Sequence, residues 1–215
     1  MAKNQIKTVK EAELFKKMNP VVRFLTISDI LIMGGFALIG PIFAVFITDQ
    51  IAGASIEVVG IAEGIFLTVR SLMQIPFGRL IDKIKGEKDD FWFMVVGSLL
   101  LALIPIFYIF CDTPAKLYAV QFLYGFVSAA TLPTWLAIFT RHIDKDREGY
   151  EWGIYQTAAG LSAAACASLG GFLAQEYGFR SLFVLVSVLN FAGAIFLLGI
   201  YRHMKKGYVL NKKRN

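Results

Sequence analysis

Residues 24–48 read FLTISDILIMGGFALIGPIFAVFIT, a run in which Asp29 is the single ionisable side chain. About 20 helical residues, at 1.5 Å rise each, cross about 30 Å of hydrocarbon, so this stretch predicts a transmembrane helix. Ala52-Gly53-Ala54 beyond it resembles a signal-peptidase site. The apolar run is longer than the roughly 7–15 residues of a signal h-region and follows a 23-residue basic leader, so the segment is read as retained. Working outward, five more apolar stretches stand at about 58–78, 91–110, 116–140, 152–174 and 181–201. Gly34, Gly35, Pro41, Gly125, Pro133 and Gly160 interrupt them. Membrane helices carry such breaks where neighbours satisfy the freed backbone, which favours a bundle over isolated anchors. The reading is an all-α membrane protein: a basic leader at 1–23, a six-helix domain at 24–201 and a basic tail at 202–215.

Composition agrees. Of 215 residues, 56% are hydrophobic, with mean hydropathy +0.59, above the usual apolar share of soluble domains. Cys111 falls at a span end and Cys166 inside a span, without a CxxC pair, so neither a disulfide framework nor a metal site is expected. A net charge of +6 would raise nucleic-acid binding in a soluble chain. Placement of the basic residues decides otherwise. Nineteen of the 22 Lys and Arg fall in the leader, the second-to-third loop, the fourth-to-fifth loop and the tail. The opposite loops hold Lys116 and Arg180, and Arg70 lies inside a span. The positive-inside rule then puts both termini in the cytoplasm of a multi-pass protein of the cell membrane, and nucleic acid is not an expected partner. The leader, with Ile6, Val9, Leu14, Phe15 and Met18 among its lysines, is either an amphipathic helix on the anionic leaflet or a solvated arm.

An internal repeat is visible. Residues 41–48, PIFAVFIT, are similar to 133–140, PTWLAIFT, at an offset of 92, which sets Asp29 opposite Gln121. The second and fifth stretches align at an offset of 93, with Gly60-Ile61 on Gly153-Ile154 and Glu63 on Gln156. Since the first span runs outward and the fourth inward, the repeat is inverted. Inverted three-helix repeats are a structural signature of secondary transporters, with the solute site at the repeat interface.

Polar residues divide the spans. The third has no ionisable residue and the sixth only Asn190 as a sizeable polar group, so both are expected to face lipid. Asp29, Glu63, Arg70, Gln74, Gln121, Tyr124, Ser128, Thr131, Tyr155 and Gln156 lie in the other four. Intramembrane charge costs at least about 2.5–3.5 kcal/mol per residue and normally faces a bundle interior or wet cavity. Asp29 and Arg70 lie about 8 Å and about 12 Å from the cytoplasmic ends of their spans, depths that allow an ion pair. Asp29, Glu63 and Arg70 are therefore candidates for proton coupling, set against a structural ion pair that lets Arg70 be buried. Tyr124, Ser128, Thr131 and Trp135 form one stripe on the fourth span, either a cavity wall or helix packing. With Phe36, Gln74, Gln121, Tyr155 and Gln156 they make the candidate solute cavity. Gly160, Ala164, Ala167 and Gly171 read as a close-packing face of the fifth span.

Gly78-Arg79-Leu80-Ile81-Asp82-Lys83-Ile84-Lys85-Gly86, after the second span, resembles the signature loop of the major facilitator superfamily, with its second Gly one place late. Tyr177-Gly178-Phe179-Arg180-Ser181-Leu182-Phe183 is similar to the family's entry to the sixth helix, and Arg147-Glu148-Gly149 to its approach to the fifth. The resemblance covers about 26–201 and implies one half of a major-facilitator fold, two inverted three-helix repeats. It implies a gating role for Gly78, Asp82, Lys83 and Gly86. The fourth-helix Arg of many proton-coupled members falls on Gln121, and the Gly-Pro of the antiporter motif on Cys166-Ala167, so a drug/proton antiporter is not implied. The family's halves are related by an axis along the membrane normal, which a parallel homodimer of this chain reproduces. Asp82 is then expected near the start of the partner's fifth helix, close to Trp152, where the helix dipole favours it and Glu151 opposes it.

The expected function is that of a homodimeric secondary transporter moving a small solute by alternating access, coupled to protons, without a cofactor. The alternative is an auxiliary half or scaffold pairing with another transporter chain. An intramembrane serine protease built on Ser162 is rejected, since His142 and His203 both fall at the cytoplasmic edge, away from it. No phosphate-binding Gly-Lys-Ser/Thr loop supports ATP-driven transport.

Overall fold

The computed structural model describes residues 18–83, 86–201 and 203. The expectation of an amphipathic leader, and most of the basic tail, lie outside them. Helix α1, Pro20–Ile39, starts where Asn19 accepts a hydrogen bond from the Val21 N–H at 2.9 Å. Pro20 follows in the first turn, where its missing N–H goes unneeded. A short tight turn at Gly40–Ile42 separates α1 from α2, Phe43–Gln50. Pro41 cannot donate to a carbonyl four residues back, which breaks the ladder there. Together α1 and α2 cover the first expected span.

Helix α3 is Ile56–Lys83, α4 Glu87–Tyr108 and α5 Pro114–His142. The last helical run, α6, spans Glu148–Leu197, 50 residues. At 1.5 Å per residue that is about 75 Å, more than twice the hydrocarbon thickness. Gly178 breaks it with φ 77 and ψ 160, a conformation that side-chain-bearing residues rarely adopt. The break falls between the expected fifth and sixth spans. Pro20–Gln50, Glu87–Tyr108, Pro114–His142 and Glu148–Leu197 are each long and apolar enough to cross a membrane. The 28-residue α3 is also long enough and carries Glu63 and Arg70 along it.

Helix α1 packs chiefly on α6, α3 on α5, and α4 on both α5 and α6. In lipid, apolar burial gives helices little reason to associate, so close approach and polar contacts do it. A Cβ on Gly170 would sit 1.9 Å from the Leu38 carbonyl oxygen, so the fifth and first spans touch backbone to backbone there. Ser28 Oγ donates to the Gly193 carbonyl at 2.8 Å and Ser187 Oγ to that of Ala102 at 2.6 Å. Ser162, considered above as a nucleophile, donates to the Ile30 carbonyl at 3.4 Å and abuts Gly34. Such interhelical bonds contribute about 0.6–1.7 kcal/mol each.

Two apolar clusters close the ends of the bundle. One holds Val22, Leu25, Phe91, Met94, Ile138 and Phe139, the other Leu38, Ile47, Ile104, Leu117, Phe183 and Val186. Two expectations are corrected. The third and sixth spans do not merely face lipid: Phe91, Met94, Ser98, Phe183, Ser187 and Asn190 are buried in the bundle. The small-residue face of the fifth span is open over its first half, since a Cβ on Gly160 would meet no atom within 4 Å and Ala164 is exposed, whereas at Gly171 it would reach Ile42 at 3.9 Å. Close packing falls on Gly170 instead.

Candidate functional site

Between the two clusters lies a cavity of about 170 Å³. The first span contributes Ser28, Asp29, Ile32 and Met33, and α3 contributes Arg70. The fourth span supplies Tyr124, Ser128, Thr131, Leu132 and Trp135, and the fifth Tyr155. At its centre the Tyr155 hydroxyl donates to Asp29 Oδ2 at 2.7 Å. Helical spacing explains the fourth-span wall, because positions three and four apart share a face. Larger grooves of about 540 and 450 Å³ lie elsewhere, lined almost wholly by apolar side chains, with Asp89 the single charged group in either. The smaller cavity is the one that gathers intramembrane charge.

Sequence reasoning paired Asp29 with Arg70. Both line the cavity, yet no ion pair joins them among the described residues; the Asp29 carboxylate accepts from Tyr155. The Arg70 guanidinium carbon stands 5.7 Å from the Phe66 ring centre instead. Phe66 stacks on Tyr124 at 4.4 Å, and Phe36 stacks on the same tyrosine at 5.1 Å. Phe36 therefore supports the wall from behind. Trp135 and Tyr155 lie 4.9 Å apart, and Phe139 stacks on Trp135 at the same distance.

Other expected positions fall elsewhere. Gln121 is buried, and its side-chain oxygen accepts a bond from the Tyr108 hydroxyl at 2.9 Å, outside the cavity. Gln74 is half-buried off the cavity, while Glu63 and Gln156 are exposed on α3 and α6. Sequence reasoning missed Ser28, Ser98 and Met33, together with Leu101 and Leu197 of the supposedly peripheral spans. Ser28 sits one residue before Asp29, so its burial in the same polar layer was the available signal.

The second and fifth spans are open along one side. Leu72 is 65% exposed on α3 and Leu161 68% exposed on α6. A Cβ added at Gly60, Gly64, Gly153 or Gly160 would meet nothing within 4 Å. Small residues make a flat backbone surface that another helix can approach closely.

The family model described as Major Facilitator Superfamily matches residues 25–214. The chain belongs to this superfamily. Among curated relatives, it is 30% identical over 83% of its length to 45% of an uncharacterized MFS-type transporter of Methanocaldococcus jannaschii. It is 26% identical over 88% of its length to 45% of the multidrug resistance protein MdtG of Klebsiella pneumoniae. Thus the chain spans about half the length of these relatives. An uncharacterized MFS-type transporter of Bacillus subtilis, YitZ, differs: 24% identity runs over 75% of this chain and 95% of that protein. Membership makes this a multi-pass membrane protein of a transporter family rather than an enzyme family.

The stretch that resembles the superfamily's signature loop begins within α3, which runs through Lys83, and ends at Gly86 before α4. Gly78 is half-buried, while Asp82, Lys83 and Gly86 are exposed. Gly86 precedes α4 with φ 168, an extended backbone open to any residue. Glu151, expected to oppose a partner's Asp82, is instead buried and accepts a bond from the Asp144 N–H at 3.3 Å. Nearby, Arg141 pairs with buried Asp90, and His142 Nε2 lies 3.2 Å from Glu87. These contacts tie the fourth span to the start of the third at one end of the bundle.

Proposed function

We propose that this superfamily member is one half of a secondary transporter, in which two copies inserted the same way up enclose a shared solute path. The observation that carries the reading is the convergence of Asp29, Tyr155 and Arg70 on one intramembrane cavity beside two uncovered helices. Ionisable groups held at membrane depth mark solute and proton paths. The cavity's size supports the pairing. Ligand sites usually enclose about 300–1,000 Å³, and about 170 Å³ is what half of such a site would hold. A second copy brings a second Asp29 and Arg70 to the other wall. The exposed glycines of the second and fifth spans give the partner its seat.

Six membrane crossings with both termini cytoplasmic follow from the six apolar segments and the placement of the basic residues. In this reading Asp29 takes up a proton when the cavity faces one side and releases it to the other. Tyr155 keeps the carboxylate oriented between those steps. Gly78, Asp82 and Lys83 govern the rocking of the two halves at the cytoplasmic edge.

The test is solute-driven proton movement in proteoliposomes, reported by a trapped pH dye, for the native chain and Asp29→Asn. A solute that moves protons in the native protein and fails to in Asp29→Asn is the expected result. Uptake indifferent to both the gradient and the substitution removes proton coupling. Absence of any solute flux from reconstituted dimers removes transport.

A further inference from the structure

We propose that the solute is a small organic anion whose acidic group is taken by Arg70 and which also accepts a hydrogen bond from Trp135. This rests on the transport reading only in calling the ligand a solute; the binding chemistry stands on the cavity itself.

The charged groups lining the cavity are Asp29 and Arg70. They are not equivalent. The Asp29 carboxylate already accepts the Tyr155 hydroxyl at 2.7 Å, and a carboxylate can also discharge itself by taking a proton. Arg70 has neither escape. A guanidinium does not lose its proton in proteins, and Arg70 is half-buried at membrane depth, where a charge without a carboxylate partner is costly. Among the described residues no carboxylate lies within ion-pair distance of Arg70; its recorded neighbour is the face of Phe66, 5.7 Å away. A flat aromatic face offsets only part of the energy of a half-buried cation. An anion from outside supplies the rest, and the guanidinium fork matches the two oxygens of a carboxylate or phosphonate.

A second, independent observation points the same way. Trp135 is 8% exposed, lines the same cavity, and its buried indole Nε1–H has no acceptor. Indole nitrogen is a donor only, so what it lacks is an oxygen lone pair. Tryptophan in a core normally satisfies this group, because an orphaned buried donor forfeits its bond to water without replacement. A cation without a carboxylate partner and an indole donor without an acceptor, beside an Asp29 that can take a proton, give the cavity a preference of sign: it selects acceptors and negative charge. Between them lie Met33, Leu132 and the ring of Tyr124, held by Phe36 and Phe66, which suits an apolar or aromatic body. Asp29 with its proton on then leaves the cavity one net positive charge, which the anion neutralises.

The experiment uses the full chain in nanodiscs with three probes of one shape, benzoate, benzylammonium and benzamide. Thermal midpoint and tryptophan fluorescence are read without any gradient. Benzoate is expected to raise the midpoint and shift the fluorescence saturably, and the other two to do neither. Arg70→Gln should weaken benzoate at least about tenfold, as loss of a charge-assisted bond requires. Arg70→Lys should recover part of it, keeping the charge without the fork. Trp135→Phe should weaken benzoate about threefold to tenfold. The proposal is overturned by a response to benzylammonium in place of benzoate, by no response to benzoate, or by undiminished benzoate binding in folded Arg70→Gln. Were the Arg70 variants to misfold, the comparison of probes on the native chain decides alone. Benzoate binding by a chain that moves no solute would sink transport and leave this site standing, whereas proton-coupled flux of cations would do the reverse.

Discussion

The hydroxyl of Tyr155 lies 2.7 Å from Asp29 Oδ2, joining the fifth span to the first across 126 residues of sequence. A bond to a charged group contributes about 1.5–3 kcal/mol net, and each 1.4 kcal/mol is about tenfold in a rate or binding constant. Tyr155→Phe should therefore slow solute-driven proton movement in proteoliposomes about tenfold or more while leaving the fold intact by circular dichroism. Asp29→Asn should abolish the proton signal altogether. Equal flux in the phenylalanine variant and the native chain would show the bond to be structural only.

The open faces of the second and fifth spans predict where a partner sits. A Cβ at Gly64 or Gly160 meets nothing within 4 Å of the same chain. Gly64→Trp and Gly160→Trp should thus leave the single chain folded yet reduce the dimer fraction in nanodiscs about tenfold, read by native mass spectrometry. Undisturbed dimers would place the interface on another face.

Where backbone meets backbone the expectation reverses. Gly170→Val forces side-chain atoms toward the Leu38 carbonyl, which a Cβ alone would reach at 1.9 Å. Overpacking usually costs about 1–3 kcal/mol, and contact with a rigid carbonyl puts this case at the top of that range. A thermal midpoint lower by about 5–10 °C in detergent is expected, on the usual scale of about 2–4 °C per kcal/mol. A midpoint within 1 °C of the native value, about the scatter expected for a neutral change, would mean the helices can slide apart freely.

Glu151 predicts a pH effect on stability. It is buried, its Oε1 has no partner among the described residues, and burial pushes its carboxyl above the ordinary glutamate value, with the Asp144 carboxyl adding to the rise and the Asp144 N–H and Arg147 opposing it. In the window above the unfolded value the native state then binds more protons than the unfolded chain, so this group's contribution falls as pH rises. Glu151→Gln should raise the thermal midpoint at neutral pH and flatten its decline from mildly acid to neutral conditions. A lower midpoint for the glutamine variant at pH 7 would show that the ionised carboxylate has a stabilising partner.

Much of the architecture was legible in the chain because the bilayer imposes a length and a polarity on every helix. The apolar run at 24–48 is helical and the break at Gly178 falls between two expected spans, whereas the second helix runs on through Lys83, past its expected end at 78. Tyr124, Ser128, Thr131 and Trp135 line the cavity because helical spacing alone puts them on one face. Partner choice was not legible. Depth along the membrane normal allowed Asp29 to meet Arg70, but depth says nothing about rotation of one helix against another. The fifth span brings Tyr155 to the carboxylate first. Ser98 was missed for the same reason: a lone serine in an apolar span gives no sign of which way it turns.

Sequence by itself determined the family, the helical class, the apolar segments and the residues whose charge must be sheltered, since these depend on composition and one-dimensional spacing. Tertiary structure alone decided that Tyr155 bonds Asp29, that Arg70 faces the Phe66 ring, that the Trp135 indole N–H is left without an acceptor among the described residues, and that Gly160 on the fifth span stays uncovered. Those outcomes depend on how helices rotate and approach one another, which distant side chains set jointly and no local pattern encodes.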